Sequence, residues 1–282
     1  MLGPFRKGLS ETGYVEGRNV AFELRSAEGQ YDKLPALAAD LVSRKVAVIG
    51  AVGGPSAPAA KAATATIPIV FSIGGDPVEL GLVTSLSRPG GNITGATFFT
   101  EHLLQKQISI LHELVPKAAV FGFLVNPDNP RAQTDVSKVQ VAASTLGLAI
   151  HVMNASDERG VDAAFAALVQ RNAQAVIIPG DPLFFRMSVR LAALAARQGL
   201  PAIFWRRSFA EAGGLVSYGA NAMDTTLQGG IYAGRILRGE KPGDLPVLQP
   251  SKFDFVINLK TARALGIEVS PSLLATADEV IE

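Results

Sequence analysis

IPIVFSIGGDP at residues 67–77 and AVIIPGDP at 175–182 share one design: a continuously apolar, β-branched run, a glycine, then Asp-Pro. A run that is apolar at every position reads as a strand covered on both faces. Asp-Pro reads as a helix opening, because the aspartate accepts from the exposed N–H groups of the first turn and proline's fixed φ suits the first helical position. A strand that feeds a helix is the repeating unit of a parallel α/β sheet. Asp76 and Asp181 lie 105 positions apart, about the span of one small α/β lobe. The echo predicts two lobes. The competing reading is that Asp-Pro is simply a good way to start any helix.

Working outward, further apolar runs fall at Asn19–Ala27, Val46–Val52, Asn92–Phe99, Ala119–Val125, Ala149–Met153, Pro201–Trp205, Leu215–Tyr218 and Phe253–Leu259, in addition to Ile67–Ile73 and Ala175–Pro179. Amphipathic stretches alternate with them. Leu34, Leu37, Ala38, Leu41 and Val42 make one stripe at helical spacing, and Leu104, Ile108, Leu111 and Val115 make another. Asp32, Asp76, Asn129, Ser156 and Asp181 are expected to cap helices, and Gly147 and Gly199 to end them in the left-handed conformation. Ten strands are many for one open sheet in 282 residues, so the α/β reading divides them between two sheets. The segments 88–99, 217–224 and 246–254 are expected to cross from one lobe to the other.

Composition narrows the function. The chain has 26 Lys and Arg against 25 Asp and Glu, a net charge of +1, so no basic excess drives nucleic-acid binding through counterion release. With no cysteine, disulfides, thiolate nucleophiles, thiolate zinc sites and iron–sulfur clusters are all excluded. No run of about 18 apolar residues is present to span a bilayer, and the first residues, MLGPFRKGLSETGYVEG, lack the apolar stretch of a signal peptide.

Enzyme motifs fail one by one. AVIGAVGGPSAPAAK at 47–61 is strand, glycine turn and helix start. Its backbone N–H groups suit an anion, but it is neither the dinucleotide fingerprint nor a phosphate-binding loop. His102, His112 and His151 have no metal-ligand spacing, and His102 and His112 read as helix surface. No nucleophile elbow is present. The sequence calls for no cofactor, no metal and no catalytic residue.

What recurs instead is polar residues where strands end and helices begin, the position at which open α/β sheets bind ligands. These are Gly53, Gly54 and Ser56; Ser72 and Asp76; Asn126 and Asn129; and Asp181. Trp205 and Tyr218 close two later strands. Together they offer backbone donors for a carboxylate, carboxylates for an ammonium group and aromatic faces for an apolar body. Each also has a plainer role as cap, turn or packing residue. Arg206 and Arg207 suit a ligand carboxylate by type, but two adjacent arginines more often belong to a solvated loop.

Several stretches together resemble a known family: GLSETGYVEGRNVAFELRSAEGQYDKLPALAADLV (8–42), IPIVFSIGGDPVELGLVTSLSRPGGNITG (67–95), LHELVPKAA (111–119), NPDNP (126–130), GLPAIFWRRSFAEAGGLVSYG (199–219) and KFDFVINLKTARALGIEVSPSLLATADEVIE (252–282). In order and over the whole chain, they resemble the ABC-transporter substrate-binding proteins of the tryptophan/tyrosine-type group. The resemblance implies a two-lobed type I periplasmic-binding-protein fold, with residues 1–98 and 220–248 in lobe 1 and 99–219 and 249–282 in lobe 2. It implies a monomeric periplasmic receptor that closes on a small ligand and passes it to the membrane and ATPase subunits of an importer. Gly53, Gly54, Ser56, Asp76, Asn126, Asp181 and Tyr218 match the positions that line the cleft. Members with characterised ligands bind aromatic amino acids. Where relatives often carry Pro-Phe-Arg, this chain has Trp205-Arg206-Arg207, a departure at the aromatic side of the site.

The family pattern also places a signal peptide and a first strand ahead of the helix that begins near Leu2, so the resemblance leads us to expect a late-called start or a truncation. The alternative from another class is a cytosolic ligand-sensing regulatory domain on the same fold.

Overall fold

Apolar runs become strands where a neighbouring run completes the hydrogen-bond ladder. In the computed structural model, which describes residues 2–98, 103–249 and 253–282, nine of the ten runs do so: β1 (Ile49–Val52), β2 (Ile69–Ile73), β3 (Ile93–Thr97), β4 (Val120–Val125), β5 (Ala149–Asn154), β6 (Ala175–Ile178), β7 (Ala202–Phe204), β8 (Val216–Ala220) and β9 (Phe253–Asn258). The run Asn19–Ala27 does not. Its strand-type pairing among the described residues is an isolated bridge between Glu16 and Val20, and β-branched composition without a partner strand makes no sheet. A tenth strand, β10 (Glu279–Ile281), forms at the other end from three residues with no alternation to announce them. Phe99, His102 and residues 250–252, which the sequence reading used, lie outside the described residues.

The chain divides into two units, Met1–Thr100 with Asn221–Ser251 and Glu101–Ala220 with Lys252–Glu282. Unit 1 holds a parallel sheet in the order β1-β2-β3. Around it lie α1 (Leu2–Glu11), α2 (Leu34–Ser43), α3 (Ser56–Ala63) and α10 (Ala222–Leu237). One core gathers Ile49, Ala57, Ile69, Phe71, Ile73 and Ile93. The other places Leu9 of α1 with Val70 and with Tyr232 and Ile236 of α10. Helices α1 and α10 meet backbone to backbone: a Cβ on Gly8 would lie 2.0 Å from the Leu227 carbonyl oxygen, and one on Gly230 2.1 Å from that of Phe5.

Unit 2 holds seven strands in the order β10-β9-β8-β7-β6-β4-β5. All neighbours are parallel except β8 and β9, which pair antiparallel. Its flanking helices are α4 (Leu103–Leu114), α5 (Ala132–Ser144), α6 (Glu158–Gln170), α7 (Pro182–Arg186), α8 (Ser188–Arg197), α9 (Arg207–Glu211), α11 (Leu259–Ala264) and α12 (Pro271–Thr276). Phe121, Phe123, Ile177, Ile203, Val216 and Ile257 pack beneath α4 and α5 in its core.

The strand order contains the feature that matters for function. After β4 the chain goes to one side to lay down β5, then returns to the other side of β4 for β6. The carboxyl ends of β4 and β6 therefore flank a topological switch point, where the two connecting helices diverge and leave a crevice.

The caps came out unevenly. Asp181 caps α7, its carboxylate accepting from the Leu183 N–H, and Gly147 and Gly199 adopt positive φ at 68° and 62°. Asp76 opens no helix. Its Oδ1 accepts from the N–H groups of Val78 (2.7 Å) and Glu79 (3.3 Å), and the chain turns once and goes on to β3. Asp32 lies in a short 3-10 turn ahead of α2. Asn129, three positions before α5 begins, accepts from the Arg131 N–H. Asp157, not Ser156, caps α6. At Asp76 and Asn129 a side chain of the right type bonds a nearby backbone N–H, but a turn satisfies that bond as well as a helix does.

Candidate functional site

At the switch point of unit 2, Asn126 follows β4 and Asp181 follows β6 by three residues. Both are buried, with 3% of their surface exposed. The Asp181 carboxylate accepts from Asn129 Nδ2 at 2.7 Å, from Asn126 Nδ2 at 3.4 Å to each oxygen, and from the Leu183 N–H at 2.7 Å. The two asparagines fix themselves by Asx turns, Asn126 Oδ1 accepting from the Asp128 N–H and Asn129 Oδ1 from that of Arg131. NPDNP is thus a rigid double turn whose two side-chain amides converge on one buried carboxylate. A buried carboxylate is retained at acceptable cost when hydrogen-bonded in this way.

Beside this polar set lies an aromatic one. Strands β6 and β7 run in register, Ile178 opposite Phe204, so Gly180 and Asp181 leave the sheet next to Trp205 and Arg206. The absent side chain of Gly180 lets the backbone approach the Trp205 indole: a Cβ there would stand 3.3 Å from the ring. Gly219 on β8 lets that strand approach the Trp205 backbone, since a Cβ there would fall 1.9 Å from the Trp205 carbonyl oxygen. Phe185 of α7 meets the indole edge-on at 6.3 Å between centroids. The Arg206 guanidinium lies over both rings, 4.7 Å from the Phe185 centroid and 5.7 Å from that of Trp205. Burial lowers the Arg206 pKa, while the negative charges of Asp254 and Glu211 raise it.

The remaining expected residues fare differently. Tyr218 does not close its strand. It sits mid-β8, its ring stacked on Phe253 at 5.7 Å and edge-on to Phe255 at 6.1 Å, with its hydroxyl pKa pushed up first by burial and then by Asp278. In unit 1, Gly53 takes φ 99° and gives its N–H to the Ser72 carbonyl, while the Ser56 N–H goes back to the Gly53 carbonyl. Pro55 has no N–H to give. The donors reserved for an anion in the turn Gly53-Gly54-Pro55-Ser56 are thus largely spent on the turn itself. The Ser56 hydroxyl also bonds Gly53 O at 2.6 Å, and the Ser72 hydroxyl meets that of Thr226 at 3.3 Å. Gln107, which sequence reading missed, gives its amide N–H to the Tyr218 carbonyl at 2.8 Å. It sits on the buried stripe of α4, which the apolar pattern alone does not show as polar. Among the described residues no group of three His, Asp or Glu side chains is placed to hold a metal ion.

Two α/β units, each built on a mainly parallel sheet flanked by helices, with polar side chains at a switch point, define the type I periplasmic-binding-protein class. A family model described as ABC transporter substrate binding protein matches residues 2–281, and the chain belongs to that family. The chain is similar to a tyrosine-binding protein of Clostridioides difficile (strain R20291), at 28% identity over 264 residues covering 94% of this chain and 76% of that one. It is similar in structure to a conserved domain protein of Vibrio cholerae, at 27% identity and a TM-score of 0.91, covering 98% and 93% of the two chains. It is similar again to the ABC domain from Streptococcus pneumonia in complex with L-Trp, at 25% identity and a TM-score of 0.90, covering 99% and 93%. The family is one of binding proteins rather than enzymes, and this assignment does not favour the regulatory alternative. No described helix is long and apolar enough to cross a membrane.

Proposed function

We propose that this protein is a periplasmic receptor that captures an amino acid or a related small carboxylate and delivers it, as a monomer, to the membrane and ATPase subunits of an ABC importer. The observation that carries the reading is the Asn126–Asn129–Asp181 set at the switch point of the unit 2 sheet, next to the Trp205 ring. A buried carboxylate steered by two amides is suited to an ammonium group. Gly53, Gly54, Ser56, Ser72 and Asp76 are the contacts we assign to unit 1, with Tyr218 as a further contact from unit 2. Capture is a population shift toward a closed state that gains contacts with the ligand. The tyrosine-binding relative and the L-Trp complex make aromatic amino acids the first ligands to try.

A thermal-shift screen against the twenty amino acids and simple carboxylates tests the proposal. A ligand at 100 times its Kd adds about 2.7 kcal/mol. At about 2–4 °C per kcal/mol for a chain of this size, Tm should rise by roughly 5–11 °C. A folded protein that no member of the panel shifts would overturn the reading.

A further inference from the structure

Two adjacent arginines follow β7, and the structure separates their roles. Arg207 is committed to structure. Its Nε donates to Glu211 at 2.9 Å, one turn along α9, and its Nη2 donates to Glu279 on β10 at 2.6 Å. Arg206 has a different setting. It is partly exposed, directly beyond the carboxyl end of β7, with its guanidinium spread over the faces of Phe185 and Trp205.

Stacking has a consequence for recognition. A guanidinium is planar, with its N–H donors in the plane, so an aromatic face orders the plane while a carboxylate is met at its edge. The flexible stem then loses less freedom when an anion arrives. The rings are themselves held. Trp205 is only 6% exposed; Gly180 packs against its ring, and Gly219 packs against its backbone. Phe185 rides on α7, whose first turn Asp181 caps. The same aspartate that anchors the two asparagines therefore also anchors the helix that carries the platform for Arg206. Asp254 and Glu211 are among the negative groups that act on Arg206.

We propose that Arg206 is the residue that reads the ligand's carboxylate, and that Phe185 and Trp205 serve to hold this guanidinium rather than the ligand's own side chain. The inference rests on the receptor reading above and deepens it by naming the group recognised and the residue that recognises it. With the Trp205 face taken by Arg206 and the Tyr218 face by Phe253, unit 2 selects for a carboxylate head next to an ammonium group. It does not demand an aromatic side chain. Phe185 is a positioning residue.

Calorimetric titration of the full chain tests this, using L-tyrosine, L-tryptophan, L-leucine and L-glutamate, the decarboxylated amines tyramine and tryptamine, and benzoate. Wild type should bind at least one amino acid and neither amine. Arg206→Met, which keeps the stem but removes the charge, should weaken that binding at least tenfold. Arg206→Lys, which keeps the charge without the planar fork, should recover only part of it. Arg207→Gln should bind as wild type does once folding is checked by circular dichroism. Phe185→Leu should weaken binding less than Arg206→Met does.

Binding by Arg206→Met within twofold of wild type overturns the proposal, as does wild-type binding of tyramine or tryptamine as tight as that of the parent amino acid. If benzoate binds and no amino acid does, with the same loss in Arg206→Met, the amino-acid reading falls and the role of Arg206 stands. If nothing carrying a carboxylate binds, both fall.

Discussion

Asp181 is the residue on which cap, site and platform all depend, and replacing it in two ways separates its structural energy from its binding role. Asp181→Ala removes the cap on the Leu183 N–H, a loss of about 1 kcal/mol. It also removes the acceptor for Asn126 Nδ2, a buried amide, at roughly 1–3 kcal/mol. Asn129 is less deeply placed and recovers part of its bond from solvent. The sum is about 2–4 kcal/mol, or a fall in Tm of roughly 4–16 °C at 2–4 °C per kcal/mol. Asp181→Asn keeps an oxygen for the cap and for one amide, so its stability should fall by about 1 kcal/mol or less. Its affinity for a cationic ligand group should still drop tenfold or more, because the charge is gone. Urea denaturation gives the first quantity and calorimetric titration the second. An Asp181→Ala chain that melts with wild type would refute the energetics of the buried network. An Asp181→Asn chain with wild-type affinity would refute the ammonium role.

Three further predictions can be checked quickly. Gly219→Ala places a Cβ 1.9 Å from the Trp205 carbonyl oxygen, both on backbone that cannot swing aside, so stability should fall by several kcal/mol, seen as a lower urea midpoint. Trp205 is the single tryptophan and is buried, so its fluorescence should be blue-shifted in the native state, red-shifted on unfolding and altered by a ligand at unit 2. The Asp254 carboxyl is pushed up from its ordinary value near 3.8, chiefly by burial, with Arg207 opposing. The folded state thus holds that proton to higher pH than the unfolded chain, and this group's contribution to stability declines as pH rises above about 3.8. Asp254→Asn should remove that decline and leave the variant relatively more stable at neutral than at acid pH, measured by urea midpoints across the range.

The apolar runs at 67–71, 119–125 and 175–179 determined their own strands, because short β-branched stretches with no polar residue suit a sheet covered on both faces. Strand-then-helix alternation determined the α/β class, and the motifs in their order determined the family. Asp181-Pro182 determined a helix start locally, as the structure shows. The same dipeptide at Asp76-Pro77 did not, because a cap needs a following amphipathic turn that packs, and the chain there goes on to β3 instead.

Asn126 and Asp181 were each visible as strand-end polar residues. That they bond each other across 55 positions came from the order β6-β4-β5, which no local pattern specifies. Tyr218 read as a strand end and became a mid-strand packing residue, because the extent of β8 is set by its antiparallel partner β9. Arg206 and Arg207 are identical in type and adjacent in sequence. Only packing tells them apart, since Glu279 reaches one from β10 while the other lies over rings supplied by α7 and the end of β7. Local chemistry decides what a side chain can do, but the long-range pairing of strands decides which partner it meets.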